Sequence, residues 1–160
     1  MSGIDLSEVL LDDAVMLDVD PFANKTELFH YMAEQLQHAG IVKDAAEFID
    51  ALELREQCGS TYMGNFIAIP HGKSETVART GVAFCRCKIP FLYESNGEKG
   101  EVRYVFMIAV SSHECTEHLR ILAALAGMLA HQEFIDVLNE VDAYDALIQK
   151  IQEWQNKLAS

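Results

Sequence analysis

The chain has 160 residues, half of them hydrophobic, with sparse glycine and proline; this suits a single globular domain spanning residues 1–160 and excludes a disordered tail or two ordinary domains. A domain of this size buries roughly 70% of the surface its unfolded chain exposes, enough for a core without disulfides or a structural metal. Twelve basic residues against 25 acidic ones leave a net charge of −13, which repels nucleic-acid backbones, suits a basic protein partner, and still permits one phosphate at a local cluster of donors.

The opening Met1–Glu8 lacks a basic region followed by an apolar run, and no apolar stretch approaches the roughly 20 residues of a membrane span. The expected location is the cytoplasm, without membrane insertion. Cys58, Cys85, Cys87 and Cys115 show no framework spacing and are expected to be reduced thiols.

In chain order, Val15 to Val19 reads as a short strand. Asn24 then caps a helix, with Glu27 three residues on to reach back toward it. Leu28, Met32 and Leu36 form its apolar stripe, and Gly40 ends it. Asp44 and Glu47 repeat the start signal for a second helix, which carries Phe48, Leu52 and Arg55 on adjacent turns and ends at Gly59. Gly59 to Gly72 is interrupted by glycines, with Phe66 to Ile69 extended ahead of Pro70. Thr80 to Ile89 reads as a strand with Ala83, Cys85, Cys87 and Ile89 on one face. A turn at Asn96–Gly100 leads to Val102–Val110, a largely apolar and central strand. Helices follow over Glu114–Leu129, Glu133–Glu140 and Ala143–Trp154, the last capped by Asp142. The order predicts an α/β or α+β domain, a mixed β-sheet flanked by helices.

Chemistry concentrates in Gly59 to Lys73. Glycines let backbone approach a ligand and present amides, and Ser60 and Thr61 add hydroxyls, so the segment can cradle an anion. Pro70 restricts the backbone just ahead of His71. The pattern matches neither a P-loop nor a dinucleotide fingerprint, and on periodicity alone Pro70–His71–Gly72 is more often an ordinary turn than a site.

Arg55, then Gly59–Ser60–Thr61, Gly64 and Ile67–Ala68–Ile69–Pro70–His71–Gly72, resembles the signature of the phosphotransferase-system enzyme IIA domains of the fructose/mannitol class. Tyr104–Val110 followed by His118–Leu119–Arg120–Ile121–Leu122 resembles that family's later strand and helix, and the order of elements fits over nearly the whole chain. The resemblance implies a phosphocarrier: His71 accepts a phosphoryl group from phospho-HPr and passes it to an enzyme IIB, whose membrane partner IIC couples sugar entry to phosphorylation. No cofactor is implied.

Each residue has a chemical reason. A neutral imidazole is a nucleophile. Phosphoryl transfer needs charge stabilised on the equatorial oxygens, and Arg55 is the candidate cation, against a surface ion pair with Glu53 or Glu56. Ser60, Thr61 and Gly72 are candidate phosphate donors; the two hydroxyls serve equally as a helix-to-loop cap. The resemblance places His118 near His71 as a supporting residue, with a core histidine as the competing reading. Lys73 can attract phosphate. His113, Cys115 and His118 do not share one helix face and lack a fourth ligand, so no metal is expected. Cys58 reads as a small packed residue, and His30, His38 and His131 as surface or packing residues.

Tyr62–Met63 and Asn65–Phe66 depart from the family pattern, which favours smaller residues there, and bear on partner choice more than on chemistry. A nitrogen-type enzyme IIA, acting by phosphorylation-dependent binding, is the alternative; the Tyr93–Gly97 insertion leans toward the sugar class.

Overall fold

The computed structural model describes residues 4–159. Six strands form one mixed sheet: β1 (Leu10–Val19), β2 (Tyr62–Gly64), β3 (Ile67–Ala68), β4 (His71–Ser74), β5 (Gly81–Ser95) and β6 (Glu98–Ser111). Their order is β1-β5-β6-β3-β2, with β4 also on β6. Strand β6 is central, as its apolar sequence predicts for a strand covered on both faces. It pairs antiparallel with β5 along one edge. Along the other it pairs in parallel first with β3, Ile67 opposite Tyr104, and then with β4, His71 opposite Ile108.

Alternation along β5 and β6 splits the core in two. Ala83, Cys85, Cys87, Val105 and Met107 face helices α2 (Lys25–His38) and α3 (Ala45–Glu56). Val82, Phe84, Phe106 and Ile108 face α1 (Leu6–Val9), α4 (Glu117–Leu129), α5 (Gln132–Glu140) and α6 (Tyr144–Ala159). Each fully buried phenylalanine, such as Phe84 or Phe134, contributes about 1.5–3 kcal/mol of transfer free energy.

The cap residues behave as their chemistry demands. Asn24 accepts from the Glu27 N–H at 2.9 Å, and Glu27 reaches back to the Ala23 N–H at 3.0 Å. Asp44 accepts from the Ala46 and Glu47 N–H groups. Gly40 takes φ +80°, the left-handed value that ends α2.

Several elements differ from the sequence reading. β1 starts at Leu10, not Val15, because a register shift between them breaks the period-2 pattern; helix α1 was not foreseen. Ile89 is exposed rather than on the Cys85–Cys87 face, since an irregularity between Arg86 and Phe91 resets the alternation and returns Phe91 and Tyr93 to the core. α4 begins at Glu117, after a turn over Ser111–Thr116. α6 opens with the Leu147 N–H bonded to the Ala143 carbonyl, one residue beyond the expected Asp142 cap. Tyr93–Ser95 extend β5, and Asn96–Gly97, at φ +46° and +86°, form the two-residue hairpin turn to β6.

Among the described residues no single helix is long and apolar enough to cross a membrane; α4 and α5 reach that composition only together and meet at 94°.

Candidate active site

Pro70 separates β3 from β4. With Ile69 it lies between the two strands, and having no N–H it cannot donate to β6, while its carbonyl accepts from the Ile108 N–H at 3.0 Å. The chain re-enters the sheet at His71, so the imidazole stands on a strand beside a central partner, not on a free turn. Gly72 follows because the backbone of α3 lies against it: a Cβ there would sit 3.0 Å from the Leu52 nitrogen and 3.1 Å from the Ala51 carbonyl carbon. That close approach sets the last turn of α3, and with it Arg55, beside His71.

The ring of His71 is held from both sides. Its Nδ1 lies 3.1 Å from the Ile69 carbonyl oxygen, an acceptor only, so Nδ1 carries the proton. Its Nε2 receives the Arg55 Nε–H at 3.1 Å, a donor only, so Nε2 presents its lone pair. Arg55 Nη1 donates to the Gly59 carbonyl at 3.0 Å. The two partners therefore select one neutral tautomer, with the lone pair on Nε2. Burial lowers the His71 pKa below the ordinary 6.5; the Ile69 carbonyl opposes this, and the Arg55 and His118 charges reinforce it.

His118 occupies the first turn of α4 and lines the same cleft, of about 280 Å³, as Arg55, His71, Gly72 and Lys73. Its Nδ1 is buried without a hydrogen-bond partner, and no hydrogen bond joins it to His71 among the described residues. Burial and then Lys73 lower its pKa, with Glu114 opposing. Neutral His118 thus brings an uncommitted polar ring to the cleft from the start of α4, where the macrodipole favours negative charge.

The remaining expected donors separate. Ser60 is half-buried, and its hydroxyl accepts from the Tyr62 N–H at 3.1 Å, a local turn. Thr61 is turned away from the cleft: its hydroxyl donates to Glu56 Oε2 at 2.6 Å and meets Tyr93 Oη at 2.6 Å, and its N–H donates to Ser95 Oγ at 2.9 Å. Thr61 alternates inward in the strand-like approach to β2, so its hydroxyl serves the core side. Gly72 lines the cleft, but what its backbone requires of it is the contact with α3.

Glu56 was missed. The sequence offers it only as a surface partner for Arg55, whereas it is buried and bonded to Lys25, Thr61 and Ser95. The available signal was its spacing: Phe48, Leu52 and Glu56 fall at i, i+4 and i+8 on the buried stripe of α3. Arg55 sits one residue off that stripe, which leaves its guanidinium for the cleft.

A histidine held with a free nitrogen lone pair, beside a cationic fork on a mixed α/β sheet, is an arrangement able to accept a group carried by an anion. Residues 8–154 match the family model for the phosphoenolpyruvate-dependent sugar phosphotransferase system, EIIA 2, and the chain belongs to that family. It is 31% identical over 143 residues to the mannitol-specific EIICBA component of Pasteurella multocida, covering 88% of this chain and 22% of that one. It is 32% identical over 147 residues to the fructose-specific EIIABC component of Bacillus subtilis, covering 91% and 23%. The chain thus spans under a quarter of these two relatives. The fructose-specific EIIA component of Haloferax volcanii is 30% identical and covered over 92% of its length, with 89% of this chain. Among solved structures, nitrogen regulatory protein IIA-Ntr of Neisseria meningitidis superposes with a TM-score of 0.79 at 26% identity, covering 91% of this chain and 97% of that one. IIA mannitol of Escherichia coli gives 0.70 at 28%, covering 87% and 96%.

Proposed function

We propose that this protein is a phosphocarrier of sugar uptake, in which His71 Nε2 takes a phosphoryl group from phospho-HPr and gives it to an enzyme IIB. The observation that carries this reading is the state of His71: proton on Nδ1 toward Ile69, lone pair on Nε2 toward the cleft, and a cationic donor at the point of attack. Membership of the EIIA family supplies the reaction class.

In the first step Nε2 attacks phosphorus, the P–N bond of the donor's phosphohistidine breaks, and its electron pair returns to the donor's ring. Arg55 must release Nε2 as phosphorus arrives. With Nη1 still on Gly59, its fork is placed to meet the equatorial oxygens, where a charge-assisted donor is worth most. In the second step a thiolate of enzyme IIB attacks the phosphorus, and the N–P electron pair returns to Nε2. The Nδ1–H to Ile69 contact stabilises the positive character of the ring while it bears the phosphoryl group. His118, uncommitted at Nδ1, contributes a further donor. Lys73 on the cleft wall adds positive charge. Such a carrier would work in the cytoplasm, where its donor and acceptor proteins are expected. A solved complex of enzyme IIAMtl with phosphorylated enzyme IIBMtl of Escherichia coli, one chain of which matches 88% of this chain at 26% identity, supports a IIB as acceptor.

Incubation with phosphoenolpyruvate, enzyme I and HPr should give acid-labile phosphate on the wild type and none on His71→Ala. Labelling of His71→Ala would overturn the assignment. The likeness to nitrogen regulatory protein IIA-Ntr favours a second reading, a regulator whose binding follows its phosphorylation. Transfer of the label to a IIB cysteine supports transport; label retained against every IIB offered supports regulation.

A further inference from the structure

Glu56 is the last residue of α3 and only 5% exposed. A carboxylate there opposes two forces: desolvation, and the negative end of the helix dipole. Three donors hold it. Lys25 Nζ from α2 lies 2.9 Å from Oε1, Ser95 Oγ from β5 lies 2.5 Å from the same atom, and Thr61 Oγ1 lies 2.6 Å from Oε2. The Thr61 hydroxyl continues to Tyr93 Oη, and the Thr61 N–H is held by Ser95 Oγ. One carboxylate therefore joins the end of α3, the loop that follows it, and the β5–β6 hairpin.

That loop contains Gly59, whose carbonyl anchors Arg55 Nη1. Residues 57–61 are thus clamped at both ends, by α3 at Glu56 and by the same carboxylate at Thr61. Gly59 itself makes little else: an added Cβ would meet only Arg55 Nη1, at 3.9 Å. Without the clamp its carbonyl is free to drift, and the guanidinium loses the pivot from which its Nε–H reaches His71.

We propose that Glu56, acting through Thr61 and Gly59, is the positioning residue of this site: its buried carboxylate sets the loop that aims Arg55 at His71. The proposal rests on the phosphocarrier reading for its kinetic consequence, but not for its geometry. Displacement of a catalytic partner by about 1 Å costs on the order of 100-fold in rate, so loss of the clamp should act on turnover rather than on donor binding.

The experiment uses the whole chain and the variants Glu56→Gln, Thr61→Val and Thr61→Ser. Nitrogen NMR of the Arg55 Nε–H and His71 Nε2 resonances, in the protein alone, reads the aim. Phosphoryl acceptance from phospho-HPr reads the consequence. Glu56→Gln and Thr61→Val should broaden or shift the Arg55 Nε–H signal and lower turnover by about 10- to 100-fold with the KM for donor unchanged. Thr61→Ser, which keeps the hydroxyl, should restore both. Wild-type turnover in folded Thr61→Val or Glu56→Gln overturns the proposal, as does an unmoved Arg55 signal or a loss that Thr61→Ser does not rescue. If Glu56→Gln fails to fold, Thr61→Val decides alone. Absence of labelling in the wild type would sink the phosphocarrier reading while the NMR arm still decides the positioning role.

Discussion

Gly72→Ala tests whether contact with α3, rather than backbone freedom, explains the glycine after His71. The added Cβ would lie 3.0 Å from the Leu52 nitrogen, 3.1 Å from the Ala51 carbonyl carbon and 3.2 Å from the Ala51 Cβ. Two of these are main-chain atoms inside a helix, which no rotamer change can move. The helix must shift by a few tenths of an ångström, and Phe48 and Leu52, both fully buried on it, must shift with it. Overpacking of this kind costs about 1–3 kcal/mol, which for a domain of this size lowers Tm by roughly 2–4 °C per kcal/mol. Because Arg55 rides on the same helix, its 3.1 Å bond to His71 should lengthen too. Gly127→Ala is the control: it lies within α4 with nothing within 4 Å of its Cβ position, and helix propensity predicts a gain of about 0.8–1 kcal/mol. Chemical denaturation of both variants measures the costs. A Gly72→Ala variant within about 0.5 kcal/mol of wild type would refute the close-approach argument.

Arg55→Ala removes the donor to His71 and should lower phosphoryl acceptance by about 100- to 1000-fold; Arg55→Lys should recover little, because a single ammonium nitrogen lacks the planar fork whose Nε and Nη1 reach His71 and Gly59 separately. NMR titration of Arg55→Ala should show a raised His71 pKa, since the Arg55 charge helps to lower it, and an unchanged titration would contradict the pairing. The lowered His71 pKa also fixes the sign of a pH effect: between its folded value and 6.5 the unfolded chain binds more protons, so its contribution to stability is complete above 6.5, falls as pH drops through that window, and is flat below it. Acceptance should accordingly fall off at a lower pH than the protonation of an ordinary imidazole would dictate; loss of activity tracking a midpoint at or above 6.5 would argue against a depressed pKa. Phe66 holds φ +67° in an exposed turn, so Phe66→Gly should stabilise the fold by about 1 kcal/mol, read as a raised denaturation midpoint.

His71 was legible as a candidate because its signal is local: Pro70 before it, Gly72 after it, and small residues upstream all act within a few bonds. The caps at Asn24 and Asp44, the stop at Gly40 and the apolar run of β6 were legible for the same reason, since each is chemistry between a residue and its own chain. Thr61 and Glu56 were not. Whether a threonine hydroxyl faces a phosphate or a buried carboxylate depends on Ser95 and Tyr93, more than 30 residues away, and no local propensity carries that information. The reset of β5 at Ile89 likewise comes from its pairing with β6. The sequence by itself determined which residue could be the nucleophile and which side chain could be the cation. Only the tertiary structure decided that Nε2 carries the lone pair and that Arg55 reaches it, because both depend on Pro70 returning β4 to the sheet and on the missing Cβ of Gly72 letting α3 come close.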